Sequence, residues 1–226
     1  MSKKIRVLII SSLEISLLRF RGNFIADLVD SGYDVAVAAP VFSAEIESSL
    51  RLLGAEPFTF PMSRTGNSIW SDFRSYRALL SLMEQVQADL IFPYTIKPVI
   101  YASFAARKYG VPVIGLVNGL GYIFSGNSAR QLLLRLLIKQ IYRIAVAKNK
   151  AMVFQNKDDA LHFKSQNLIG RNTEVLVVDG SGVDMTEFPW REPKEIECVK
   201  FAFVARLLVE KGIQLYVESA LSLIHI

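Results

Sequence analysis

The chain has 226 residues, 51% of them hydrophobic and 21% charged, a soluble globular composition with ample material for a core. That length holds one large domain, or one domain and part of another. Its 26 basic and 21 acidic residues leave a net charge of +5, which favours anionic partners such as phosphates or lipid headgroups; no nucleic-acid-binding motif accompanies it, and none is expected as a partner.

From the N-terminus, MSKKIRVLIISS carries an apolar run too short for a secretory leader. No small-residue cleavage site follows and Glu14 interrupts it, so it predicts a first buried strand. Further strands are expected at 34–39, 56–60, 89–93, 113–117, 151–155 and 174–178, after the first at 5–11. Helices are expected at 20–31, 44–53, 71–87, 98–109, 129–148 and 158–166. The strands are nearly all apolar rather than alternating, the pattern of a parallel sheet covered on both faces. With right-handed crossovers this is an α/β fold, a doubly wound parallel sheet.

Local punctuation agrees. Ser31-Gly32 closes the first helix and Tyr109-Gly110 the fourth, with Pro112 just beyond. Asn156 followed by Asp159 reads as a helix N-cap with an acid in the first turn, and as nothing more. His162 and His225 are the only histidines and lie outside any ligand spacing, so no metal site is expected. No uninterrupted apolar run approaches the roughly 20 residues that span a bilayer, and a cytoplasmic protein is expected.

Beyond residue 178 the texture changes. The stretch DGSGVDMTEFPWREPKE holds two glycines, two prolines and several charges, and reads as a linker. The expected division is a first domain over 1–180, a linker over 181–195 and the start of a second domain over 196–220. A strand at 197–205 contains Cys198, the one cysteine, which reads as a small buried apolar residue and excludes an internal disulfide. One strand and one helix bury no core of their own, so the second domain is expected to be truncated. The final LSLIHI, residues 221–226, matches one reading frame of a sequencing-library adapter, and the native sequence is expected to end near Ala220.

In doubly wound sheets, ligands bind outside the carboxyl ends of the strands. Those ends carry SSLEISLLRFRGNF after the first strand, YTIKP after the fourth, NGLGYIFSG after the fifth and DGSGVD after the last. The candidates are therefore Ser12, Arg21, Gly22 and Asn23; Tyr94, Thr95 and Lys97; and Asn118, Gly119 and Gly121. Arg19, Arg21, Gly22 and Asn23 are expected at a helix start, where the dipole is worth roughly 0.3–1 kcal/mol toward an anion. The two arginines serve equally well as solvated loop charges. No G-x-G-x-x-G is present, so a dinucleotide cofactor is not indicated. Gly119 and Gly121 permit backbone closed to other residues, and Asn118 offers a donor and an acceptor to a sugar hydroxyl.

The helix ARQLLLRLLIKQIYRIAVAKNK and the residues just beyond it hold six basic residues between Arg130 and Lys150 and no acid. Arg135, Lys139 and Arg143 recur every four residues on one face. Such a stripe suits an anionic membrane at about 1 kcal/mol per charge near the surface, on a helix that also covers the sheet. In FAFVARLLVEKGIQ, Arg206 closes a strand and Lys211 opens a helix, a clamp suited to a diphosphate leaving group. Loss of one such contact typically removes roughly 3–4 kcal/mol of transition-state stabilisation.

The segments FRGNFIADLVDSGYDVAVAAP, YTIKPVIYASFAARKYGVPVIGLVNGLGYIF, VFQNKDDALHF, GSGVDMTEFP and FVARLLVEKGI together resemble the N-terminal part of family 4 glycosyltransferases with the two-domain GT-B fold. The likeness is to the bacterial type that builds capsule, O-antigen and other surface polysaccharides, and it runs from about Phe20 to Ile213. It implies a Rossmann-like first domain that binds an acceptor, often a glycan on a polyprenyl diphosphate. It implies a second domain for a nucleotide-sugar donor, a UDP- or GDP-sugar, with transfer of a hexosyl or N-acetylhexosaminyl group and retention of configuration. Arg206 and Lys211 fall on the family's donor-diphosphate residues, and Gly180, Ser181, Gly182 and Asp184 on its hinge.

No tightly bound cofactor or metal is implied. The expected place of work is the inner face of the plasma membrane. Two departures stand out. Asn118-Gly119 occupies the place where many members carry a histidine, and the paired glutamates of the donor domain are absent, so the catalytic residues are unassigned and the chain is expected to be inactive alone. A non-catalytic lipid-sugar or partner-binding module, and a sugar-nucleotide epimerase of the same fold, are the competing readings.

Overall fold

A computed structural model describes residues 3–62, 69–119, 129–192 and 199–224. Seven strands alternate with helices: β1 Arg6–Ile10, α1 Glu14–Asp30, β2 Asp34–Ala39, α2 Ala44–Leu52, β3 Glu56–Thr59, α3 Ile69–Val86, β4 Leu90–Pro93, α4 Ile96–Tyr109, β5 Ile114–Val117, α5 Ala129–Val146, β6 Ala151–Phe154, α6 Lys157–Ser165 and β7 Glu174–Val177. All seven strands expected in the first domain form, and all six of its helices. The one large displacement is the start of α1, six residues earlier than expected.

Pairing is parallel throughout. The strands run β3-β2-β1-β4 in one ladder and β5-β6-β7 in another. Two parallel bridges, Ile91 with Val113 and Tyr94 with Leu116, carry the pairing from β4 to β5. The strand order therefore reverses between β1 and β4, the switch point of a doubly wound sheet.

The apolar strands are explained by burial on both faces. Leu8 and Ile10 of β1 face one way and pack with α3 and α4 through Leu79, Leu82, Met83, Ala102 and Ala105. Val7 and Ile9 face the other way and pack with Leu17 and Ile25 of α1 and Ile46 and Leu50 of α2. A third cluster joins α4, α5 and α6 to β5 and β6 around Tyr142, Phe154 and Phe163. Capping follows the local sequence. Asn156 accepts a hydrogen bond from the Asp159 amide at 2.7 Å, and Gly110 closes α4 in the left-handed region.

The chain divides into two compact units, Met1–Gly182 and Val183–Ile226. Within the second unit, residues 199–205 form no strand, contrary to expectation. Among the described residues no strand pairs with this segment to form a ladder, and Phe201 and Val204 lie exposed rather than in a core. Cys198 and His225 lie outside the described residues. A short 3-10 turn, Val209–Lys211, ends at Gly212 with φ +82°, and α7, Ile213–Ile224, follows. Tyr216 steadies this unit by donating to the Phe201 carbonyl at 3.1 Å.

Candidate functional site

The carboxyl ends of β1 and β4 gather a cluster of hydroxyls. The loop after β1 is only Ser11-Ser12-Leu13. Ser11 Oγ folds it tightly, accepting from the Leu13 amide at 3.1 Å and donating to the Leu13 carbonyl at 3.0 Å. Ser16 Oγ donates to the same carbonyl at 2.6 Å. Helix α1 thus begins at Glu14, whose carboxylate suits the positive helix end. Leu13, a residue that offers no cap, stands at the boundary, which is why the sequence places the start later.

Across the switch point, Tyr94 follows β4 and points under α1. Its hydroxyl lies 2.8 Å from Ser16 Oγ, which lies 2.9 Å from Ser11 Oγ. Burial pushes the Tyr94 pKa up, partly offset by the bonds to Ser11 and Ser16 and by the nearby Arg21 charge, so the phenol stays protonated. Ser12 Oγ and Thr95 Oγ1 meet at 3.1 Å. Thr95 adopts φ +68°, ψ 157°, a backbone strongly unfavourable for a β-branched residue. It is the boundary residue of α4, whose first amides face this edge.

Several expectations are corrected here. Arg19, Arg21, Gly22 and Asn23 stand two turns inside α1, not at a helix start, because the helix begins at Glu14. Gly22 is buried in α1, and a Cβ there would make ordinary contact with Leu53 of the loop after α2 at 3.8 Å, so the site has room for a methyl group. Arg19 and Asn23 are exposed, and Arg21 is only 6% exposed. Its guanidinium lies 5.3 Å from the Tyr94 ring centroid, and Nη1 donates to the Phe20 carbonyl at 2.8 Å and to Ser181 Oγ at 2.9 Å. Burial lowers its pKa. Lys97 pairs with Asp72 at 3.1 Å, which ties α4 to α3.

Asn118 follows β5 at the same edge and is exposed, and Gly119 takes φ +135°, a conformation side chains avoid. Gly121 lies outside the described residues. Gly180 and Gly182 have φ of +84° and +75°, flanking Ser181, which also accepts from Gln155 Nε2 at 2.9 Å. Asp184 accepts from the Thr186 amide at 2.8 Å, a local turn.

In the second unit, Arg206 closes no strand, while Lys211-Gly212 does lead directly into α7. The Arg206 carbonyl accepts from the Leu208 amide at 2.7 Å in a tight turn, and Lys211 ends the 3-10 turn before Gly212. Both side chains are exposed. On α5, Arg143 is exposed and Lys139 donates to Gln166 at 3.0 Å, while the Arg135 side chain lies outside the described residues.

Sequence reasoning did not single out Ser11, Ser16 or Gln155. Ser11 and Gln155 directly follow β1 and β6, where the strand-end rule directs attention without selecting side chains, and Ser16 lies in the first turn of α1. Among the described residues no group of three or more His, Cys, Asp or Glu side chains is placed to hold a metal. Among them, too, no helix is long and apolar enough to cross a membrane.

A parallel doubly wound sheet with a polar edge at its switch point defines a Rossmann-like ligand-binding unit. The chain belongs to the glycosyl transferase 4-like family, whose model matches residues 6–156. It is 23% identical over 218 residues to the N,N'-diacetylbacillosaminyl-diphospho-undecaprenol alpha-1,3-N-acetylgalactosaminyltransferase of Campylobacter jejuni, a match that covers 91% of this chain and 57% of that protein. The chain thus spans a little over half the length of this curated relative. Two solved structures share the fold. A glycosyltransferase from Rickettsia africae aligns with a TM-score of 0.57 at 14% identity, over 83% of this chain and 45% of that one. The UDP-GlcNAc 2-epimerase of Neisseria meningitidis, bound to UDP-GlcNAc, aligns with a TM-score of 0.54 at 15% identity, over 76% and 46%.

Proposed function

We propose that the chain is the acceptor-binding half of a retaining glycosyltransferase. The enzyme moves a hexosyl or N-acetylhexosaminyl group from a UDP- or GDP-sugar to a glycan on a polyprenyl diphosphate, in the assembly of capsule, O-antigen or a related surface polysaccharide. The observation that carries this reading is the hydroxyl-lined edge at the switch point, with Ser12 and Thr95 at 3.1 Å and the start of α4 beside them. Paired hydroxyls and a positive helix end suit sugar hydroxyls and phosphate oxygens. The Campylobacter relative, whose name specifies an undecaprenol-diphosphate-linked acceptor and an N-acetylgalactosaminyl donor group, supports the substrate class.

In this reading Ser12, Tyr94, Thr95, Lys97, Asn118, Gly119 and Gly121 serve the acceptor side, and Arg206 and Lys211 hold the donor diphosphate. Gly180, Ser181, Gly182 and Asp184 serve as the hinge. Contact with the inner face of the plasma membrane falls to α5 through Arg135, Lys139 and Arg143. Exposed Leu136, Leu137, Ile141 and Ile144 beside Arg143 support that role, since a basic and apolar helix face suits an anionic bilayer. The epimerase alternative needs acid–base carboxylates at the edge, where the hydrogen-bonded cluster consists of hydroxyls and an arginine.

The test is a single mixture of the 226-residue chain, UDP- and GDP-sugars and a polyprenyl-diphosphate-linked N-acetylhexosamine. The expected result is acceptor binding without turnover, with binding weakened about tenfold in a Ser12→Ala, Thr95→Val double variant. Absence of acceptor binding contradicts the acceptor role, and turnover by this chain contradicts its being only half of the enzyme.

A further inference from the structure

Among the described residues, three arginines have buried side-chain nitrogens with no hydrogen-bond partner: Arg6, Arg21 and Arg107. Two of the three are neutralised. Arg6, at the opposite edge of the sheet, pairs with Asp34 at 3.4 Å and with Glu56. Arg107 donates to the carbonyls of Ile144 and Ala145, the negative end of α5. Among the described residues, Arg21 has neither a carboxylate nor a helix C-terminus beside it. Its two bonded acceptors, the Phe20 carbonyl and Ser181 Oγ, are neutral.

The orphaned nitrogens of Arg21 are Nε and Nη2, the two donors of the side-on fork that grips an oxyanion. Ser181 Oγ, held by Arg21 Nη1, also accepts from Gln155 Nε2, each at 2.9 Å. A cationic donor and a neutral donor therefore converge on one small oxygen. Ser181 lies in an exposed loop between two glycines with positive φ, a backbone that lets the hydroxyl swing aside.

We propose that Arg21 and Gln155 form a binding site for a phosphate or diphosphate group, with Ser181 Oγ holding the place of a phosphate oxygen until the ligand displaces it. A phosphate oxygen in the place of Ser181 Oγ accepts from Nη1 and Gln155 together, and a diphosphate carries further oxygens for the side-on edge of the same guanidinium. The choice of ligand rests on the reading of this chain as part of an enzyme with diphosphate-linked substrates. Acceptor and donor both supply that chemistry.

Calorimetric titration of the 226-residue chain with inorganic pyrophosphate tests the site. The wild-type chain is expected to bind, and Ser181→Ala to bind at least as tightly. Arg21→Lys, which loses the fork, and Ser181→Asp, which places a carboxylate against Arg21, are each expected to bind about tenfold more weakly, the latter with a raised Tm. Failure of both wild type and Ser181→Ala to bind pyrophosphate overturns the proposal, as does equal binding by Ser181→Asp. Since the Ser181 variants leave the helix intact, an Arg21 variant that fails to fold does not blunt the test. Competition by farnesyl diphosphate assigns the site to the acceptor, and competition by UDP to the donor; either supports it. Pyrophosphate binding without binding of the lipid-linked glycan leaves the site standing and removes the acceptor reading. The converse does the opposite.

Discussion

Thr95 is where backbone and chemistry meet. A β-branched residue at φ +68° costs about 1–3 kcal/mol, and the strain sits at the strand-order reversal beside Ser12. Replacing it by valine keeps the strain and loses the hydroxyl, while glycine loses both. Thr95→Gly is therefore expected to be about 1 kcal/mol more stable than Thr95→Val in urea unfolding, the reverse of the usual order in extended backbone. Equal stabilities would show an unstrained Thr95. No sequence signal announces such a backbone. Arg21 was visible as a basic residue near a strand end, but its burial follows from the phase of α1, which Leu13 conceals.

At the other end of the sheet, Asp89 accepts from the Arg6 amide at 2.8 Å and from Lys3 at 3.1 Å. The bond from the Arg6 amide, then that from Lys3, holds its pKa below the ordinary 3.8. A carboxylate with a depressed folded pKa contributes stability that is present above the unfolded value and lost as pH falls through the folded one. Thermal melts below pH 4 should accordingly show a shallower acid decline in Asp89→Asn than in the wild type. Identical slopes would mean that Asp89 adds nothing to folding.

Among the elements, apolar runs bounded by turn residues were enough to find β1 through β7: β1, β2 and β6 are buried on both faces, while the edge strands β3 and β7 keep apolar residues although they are partly exposed. Boundaries drifted where side chains rather than Gly or Pro mark the end. The segment over 197–205 shows the limit of the method. Its apolar run is strand-like, but strand formation depends on a neighbour, which no local pattern supplies. Tertiary closeness was equally hidden at Gly170: a Cβ there would meet the Ala147 carbonyl at 2.3 Å and Thr173 Oγ1 at 2.8 Å, so the turn after α6 lies against the end of α5. Gly170→Ala is expected to cost about 1–3 kcal/mol and lower the Tm of the first unit. An unchanged Tm would show that this approach can relax.

For the whole molecule, the rule that ligands gather at strand carboxyl ends brought Ser12, Tyr94, Thr95 and Asn118 to one edge before any coordinates, since topology alone decides which loops share an edge. The rule does not say which side chains turn inward. Ser11, Ser16 and Gln155 entered the picture only through their hydrogen bonds. The proposed function then gives that edge a chemical meaning, the capture of a sugar on a diphosphate carrier.

Hydrogen exchange of the 226-residue chain, with and without a polyprenyl-diphosphate-linked N-acetylhexosamine, tests this placement most directly. The account predicts slowed exchange in residues 11–17 and 94–97, at the switch point, and none near Arg6, Asp34 and Glu56 at the opposite edge. Protection confined to that opposite edge, or none anywhere at saturating ligand, would contradict it.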